Sequence, residues 1–298
     1  MRTPRRSGWL VLLVLGLLAL VAPAAGATPP SGHPTAHRLV AGLQGGSGST
    51  IGPDRALYVT ESAAGRITRV DPKTGATTTY ASGLPTLIPE VGFGGPVDVA
   101  FLGRTAYVLV TLVGPDVRGS DVVGLYRVDG PDSFTVVADI GAFSIANPPA
   151  TDFFVPSGVQ YALQAYRGGF LVTDGHHNRV LRVTRDGQVT VLRAFGNIVP
   201  TGLEVRGRTI YMAEAGPVPH LPEDGKVVAF RLNSPAVRDV AAGARLLVDV
   251  EFGRKHRLYA LSQGVFPPGN PGALRQSRTP APWSRSTGMA ASPWSSTG

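Results

Sequence analysis

Glu61, Asp174 and Glu214 each end a short apolar run, and Arg66 and Arg179 follow the first two at a spacing of five residues. A carboxylate and a guanidinium so spaced across a turn form paired, charge-assisted hydrogen bonds. Two readings are open. The three carboxylates cluster at one rim and act on a ligand, or each is a local turn device. Repetition in separate units favours the second, so Glu61 with Arg66 and Asp174 with Arg179 are read as structural turn pairs. A second acidic set lies on alternating runs: Asp98 in 97–101, Glu204 in 201–205, and Asp249 and Glu251 in 248–252. Period two places these four on equivalent strand faces. On innermost strands they would line a channel. There they would offer hard oxygen ligands to Ca²⁺, or simply make a hydrated polar lining. No other cofactor is suggested.

His176, His177 and Asn178 fall at a tight turn, where neighbouring histidines are expected to be solvated. His220, among prolines in a long loop, joins Glu90 and Asp174 as candidate ligand contacts. No nucleophile elbow, phosphate-binding glycine loop or metalloprotease helix motif occurs.

The elements that must position these groups repeat. A Tyr- or Phe-containing strand followed by a Gly- or Asn-led partner recurs at 57–71, 106–129, 170–183 and 210–231, and a fifth unit starts at 258. The period is roughly 50 residues, which marks a stacked or radial array. Two units resolve into four strands each: 158–161, 169–174, 179–183 and 188–194, then 202–205, 209–214, 225–231 and 236–241. The predicted fold is all-β: a propeller of four-stranded antiparallel blades, nominally six, with five or fewer complete. A β-sandwich would not demand the recurring cassette. Segment 37–43 is expected to be an outer strand that completes the last blade and clasps the chain ends.

In such blades the 1–2 and 3–4 turns share one face, and the 2–3 loops and blade connections share the other. The long segments 84–96, 112–122, 141–157, 215–224 and 262–271 all belong to the second group. Length gathered on one rim of a rigid scaffold is what a binding face looks like.

Outside the repeats, Arg2, Arg5 and Arg6 precede an apolar run from Trp9 to Val21, and Ala25-Gly26-Ala27 offers a small-x-small cleavage site. This reads as a secretory signal peptide over 1–27, then a linker over 28–36. An uncleaved anchor is the alternative, though the run is short of the ~20 residues that span a bilayer. The protein is expected outside the cytoplasm. It has no cysteine, so export brings no disulfide framework. The net charge of +8 comes from 28 basic and 20 acidic residues. Six of the arginines lie in the leader and in the tail 275–298, so the propeller at 37–274 is close to neutral. No basic stretch is interleaved with aromatics, which argues against nucleic acid. A monomer with no membrane contact after cleavage is expected. The tail is rich in Ser, Thr, Pro and Arg. It reads as a disordered extension or as the product of a shifted reading frame, which sequencing of the gene would decide.

The cassettes, with Pro200-Thr201-Gly202-Leu203-Glu204-Val205 before a Tyr strand, resemble the ScyD/ScyE family of exported bacterial proteins over residues 36–272. Residues 170–183 also resemble an NHL repeat, with Asp174, Asn178 and Arg179 in the matching places. The resemblance implies a six-bladed, TolB-like exported propeller with no established reaction. Two functions follow. One is a secreted binding protein holding a small molecule or protein on its loop-rich face. The other is a metal-dependent hydrolase of the lactonase or strictosidine-synthase kind. Glu61-Ser62-Ala63 does not complete the gluconolactonase-like motif, so the first is preferred.

Overall fold

Gly48 shows how tightly the repeats pack. In the computed structural model, which describes residues 37–217, 224–244, 246–263 and 284–286, a β-carbon at Gly48 would fall 2.3 Å from the Asp98 carboxylate and 2.6 Å from its Cα. Only glycine permits that approach. The Gly- and Ser-rich run around it is a strand, β1 (Gly46–Ile51), and it pairs antiparallel with β2 (Leu57–Glu61).

With β3 (Arg66–Val70) and β4 (Thr77–Ser82) these make the first blade. The second holds β5 (Gly95–Leu102), β6 (Thr105–Thr111), β7 (Gly124–Gly130) and β8 (Ser133–Asp139). A short helix, α1 (Ile140–Ala146), capped by Asp139, opens the connection to the third blade. That blade holds β9 (Gln160–Tyr166), β10 (Gly169–Asp174), β11 (Arg179–Val183) and β12 (Val189–Ala194). The fourth has β13 (Pro200–Arg206), β14 (Thr209–Glu214), β15 (Gly225–Arg231) and β16 (Val237–Ala244). In the fifth, β17 (Leu247–Phe252), β18 (Leu258–Ser262) and β19 (Ser284–Ser286) form a three-stranded sheet.

The blades are arranged as a β-propeller. Innermost strands pack in sequence, β1 on β5, β5 on β9, β9 on β13 and β13 on β17. The core is divided among the blade junctions. Tyr58 and Ile67 meet Val99 and Val108 between blades one and two, and Leu109 and Leu125 meet Phe170 and Leu181 between two and three. Leu171 and Val180 meet Ile210 and Met212 at the next, and Ala213 and Val227 meet Leu247 and Leu258 at the last. Each buried side chain of this size contributes about 1.5–3 kcal/mol, so blades hold one another rather than standing alone. A sixth blade has no counterpart among the described residues.

Three expectations are corrected. Residues 37–43 contain no strand; Leu43 instead lies against Gly46, and the Leu39 carbonyl against Gly75. The first strand of the third blade runs from Gln160 to Tyr166, later than 158–161. Its Ala- and Gln-rich composition carries little β signal. One helix, α1, sits in a region read as irregular.

Candidate functional site

The long 2–3 loops and blade connections emerge on one face, as the strand alternation requires, at 83–94, 112–123 and 140–159. They are joined side to side. Asp116 accepts the Ser157 N–H at 2.9 Å, and the Ile88 side chain reaches Gly119.

Strand-end carboxylates sit beneath this face. Glu61 is fully buried. It takes two hydrogen bonds from Arg66 at 2.9 Å, one from the Gln44 N–H at 2.6 Å and one from the Thr68 hydroxyl. Burial alone would raise its pKa, but these donors outweigh it and hold the carboxyl below its usual range. Asp174 is buried too, with Arg179 Nε at 2.8 Å and Gln160 Nε2 at 3.1 Å. Arg179 goes on to the Asn147 carbonyl at 2.6 Å and the Ser144 hydroxyl at 3.0 Å, tying α1 and the segment after it to the blade. Its Nη2 also donates to His177 Nδ1 at 3.0 Å, while His177 Nε2 donates to the Val155 carbonyl at 3.0 Å. Asn178 takes a left-handed φ of 54° and accepts the N–H groups of Ile198 and Val199.

Two site expectations change accordingly. Asp174 is enclosed by this network and is not placed to touch a ligand. His177 and Asn178 are buried rather than solvated, because the turn that carries them is pressed under the connection from blade two. Ser144, Asn147 and Gln160 were missed. They lie 14–35 residues from their partners, and only the Asp-to-Arg spacing hinted at a network. Glu214 occupies the same strand-end position, but Lys226 opposite it pairs with Asp239 at 3.4 Å. Burial pushes Glu214 up to about 7.

The outer surface of the rim is aromatic. Phe93 lies 5.5 Å from Tyr161, whose hydroxyl is 3.1 Å from His176 Nε2. Phe154 meets His176 edge-on at 4.7 Å, and Phe153 meets His177 at 5.0 Å. Burial, then the nearby Asp174 charge, raises the Tyr161 pKa, so its phenol keeps its proton in the pair with His176 Nε2. Phe154 is 66% exposed and Ile145 58%. Glu90 is exposed on the same face. His220 lies outside the described residues.

The channel acids act on one another through their charges but form no metal-holding cluster among the described residues. No group of three or more His, Asp or Glu is placed to hold a metal ion among the described residues, so the set Asp98, Glu204, Asp249 and Glu251 is not brought together as a calcium cage. Asp98 and Asp249 each accept the N–H of the following residue at 2.8 Å and sit over a glycine of the preceding blade, Gly48 and Gly202. Burial pushes Asp98 up to about 8. Asp249 touches solvent in the channel, yet the surrounding protein still pushes it up to about 6. Glu204 and Glu251 share a hydrogen bond; burial, then the Asp249 charge, raises Glu204, while burial and the Glu204 charge raise Glu251.

No protein-family model matches the chain, and no curated protein matches it in sequence. Among solved structures it is similar to a chain of the nidogen/laminin complex, with TM-score 0.53 and 14% identity over 74% of this chain and 73% of that one. It is also similar to the PQQ-bound aldose sugar dehydrogenase of Streptomyces coelicolor, with TM-score 0.52 and 13% identity over 84% and 83%. A streptogramin B lyase aligns at TM-score 0.46 and 13% identity, over 73% of this chain and 62% of the lyase. The likeness to the first two of these structures, at 14% and 13% identity, establishes the β-propeller fold alone.

Proposed function

We propose that the protein is an exported binding protein of the ScyD/ScyE type that holds a small molecule or protein segment on its long-loop face. The observation that carries this reading is the rim over blades two and three, where Phe154 stands exposed against His176 and Phe153 exposed against His177, beside the Tyr161–His176 pair. Contiguous exposed apolar side chains on one face mark interaction sites. A hydroxyl–imidazole pair among them adds the few polar groups that orient a ligand. Support for export is the leader of arginines followed by an apolar run.

A thermal-shift screen against a fragment library tests it. Fragments that stabilise the protein should lose that effect in Phe154→Ala and keep it in Arg104→Glu, on the opposite face. Equal loss in both variants, or stabilisation indifferent to Phe154, would refute the assignment.

A further inference from the structure

Three of the turns between first and second strands are two-residue hairpins: Gly103-Arg104, Arg167-Gly168 and Gly207-Arg208. Such turns need a left-handed φ at the first residue or at both. Gly103 at 65° and Gly207 at 62° meet the first requirement, and Arg167 at 47° with Gly168 at 75° meets the second. The second position of the first and third turns is left open and holds Arg104 and Arg208, whereas in the second turn arginine itself takes a left-handed φ. The first blade sets Arg55 in its turn at φ 65°, and the fifth carries Arg254 and Arg257. Asn or Gly would occupy φ near 50–65° with less strain, so Arg55 and Arg167 stand against the local preference.

All six side chains are exposed, and none is in an ion pair among the described residues. The acid on these turns, Asp54, is held by Arg69 at 2.6 Å. First-to-second-strand turns join the innermost strands, so these cations ring one mouth of the channel. The opposite face has the reverse balance. Its segments 83–94, 112–123 and 140–159 hold Glu90, Asp116, Asp121 and Asp152 against Arg118 alone. The 3–4 turns on the arginine face, at 71–76, 131–132, 184–188 and 232–236, carry Asp71, Asp132 and Asp186 against Lys73 and Arg185, so that face stays net positive and a domain near neutral overall is electrically polar along its axis.

We propose that the short-turn face docks on an anionic lipid surface, its ring of arginines on the phosphates of the headgroups, with the long-loop face turned away. The cations are spread around an axis, one turn per blade, rather than along a groove that would track a polymer. These turns contain no Phe, Tyr or Trp, so bases have no stacking platform, and two-residue turns form no cleft to enclose a sugar. Guanidinium groups pair with phosphate, and exposed cations add their attraction to an anionic membrane within a Debye length. Among the described residues no helix is long and apolar enough to cross a membrane, and the contact proposed is one of surface charge. It holds whatever the other face binds.

The test is sedimentation of the full chain with phosphatidylcholine vesicles and with vesicles containing about 30% phosphatidylglycerol, at about 0.05 M and 0.5 M salt. The ratio of anionic to neutral partitioning should be about tenfold or more at low salt and fall towards one at high salt. The variant Arg104→Glu/Arg167→Glu/Arg208→Glu should lower the ratio about tenfold, and Arg118→Glu should leave it within about twofold. Circular dichroism checks the fold. If the triple variant does not fold, Arg104→Gln and Arg208→Gln singly should each lower the ratio about twofold. A ratio near one at low salt, or equal losses in the triple variant and Arg118→Glu, overturns the proposal. So does a short DNA duplex or a soluble anionic polysaccharide that strips the protein from vesicles at matched charge, which would make the partner a polymer.

Discussion

Asp98 on β5 accepts the backbone N–H of Leu163 on β9 at 2.7 Å, so a channel carboxylate of one blade seals its junction with the next. Burial lifts this carboxyl to about 8 despite that donor and the Val99 N–H, and the charge of Asp249 adds to the rise. The folded state therefore binds the proton more tightly than the unfolded chain, whose value is the ordinary 3.8. The stability this supplies is fully present below about pH 4 and is lost as pH rises through about 8. Asp98→Asn keeps an oxygen to accept the Leu163 N–H and carries no charge. It should flatten the decline and gain on the order of 1 kcal/mol at pH 9 in urea denaturation. Parallel decline in parent and variant would assign the titration to another group.

Glu61 and Glu214 share a strand-end position and should respond to pH with opposite sign. The Glu61 carboxyl is held low, so its stabilisation is present above pH 4.5 and disappears as pH falls through the folded value. Glu61→Gln should cost about 1.5–3 kcal/mol at pH 7, the range for hydrogen bonds to a charge, and less below pH 4. Glu214 is held up near 7, so its contribution is present below pH 4.5 and is lost as pH rises through 7. Glu214→Gln should be close to neutral at pH 5 and stabilising by on the order of 1 kcal/mol at pH 8. Denaturation midpoints at three pH values separate the two, and a shared sign would contradict the burial argument.

Ion pairs in this protein should differ in weight by location. Arg179 is 3% exposed against a wholly buried Asp174, whereas Arg69 and Asp54 are 36% and 41% exposed at a shorter distance. Removing one member of a buried pair strands the other charge, so Arg179→Met should cost about 3–5 kcal/mol. Arg69→Met should change stability by less than about 1 kcal/mol, because solvent screens the pair. Chemical denaturation of both variants gives the comparison. Equal costs would show that distance rather than burial governs these pairs.

Strands rich in Val, Leu and Tyr and bounded by Gly or Asp were legible: 209–214 and 225–231 agree with β14 and β15 to the residue. β1 was not, because its composition answers to the Asp98 backbone pressed on Gly48, a contact 50 residues away. The turn pairs of Glu61 and Asp174 could be read from spacing, since both partners are local. The rest of the Asp174 network could not, since Ser144 and Asn147 are delivered by another blade's connection. The four channel acids were placed on the right strands, but period two says nothing about distances across an axis. Axial charge polarity was hidden for a related reason. Apart from 254–257, the arginines that share a face are one repeat apart in the chain, so local windows there are not basic.

Arg167 separates local comfort from the work of the basic face. Its turn has left-handed φ at both residues, a geometry that Asn-Gly fills most readily. Arg167 also lies over the Tyr166 ring at 5.2 Å, an exposed cation–π contact that offsets part of the strain. Relief of the backbone should exceed loss of that contact, so Arg167→Asn should raise stability by on the order of 0.5 kcal/mol. The same change removes one cation from the ring and should lower partitioning onto anionic vesicles about twofold. Stability and lipid binding would then move in opposite directions in one variant. A drop in stability instead would mean that Arg167 is kept for packing on Tyr166, and a vesicle affinity unchanged would remove it from the docking surface.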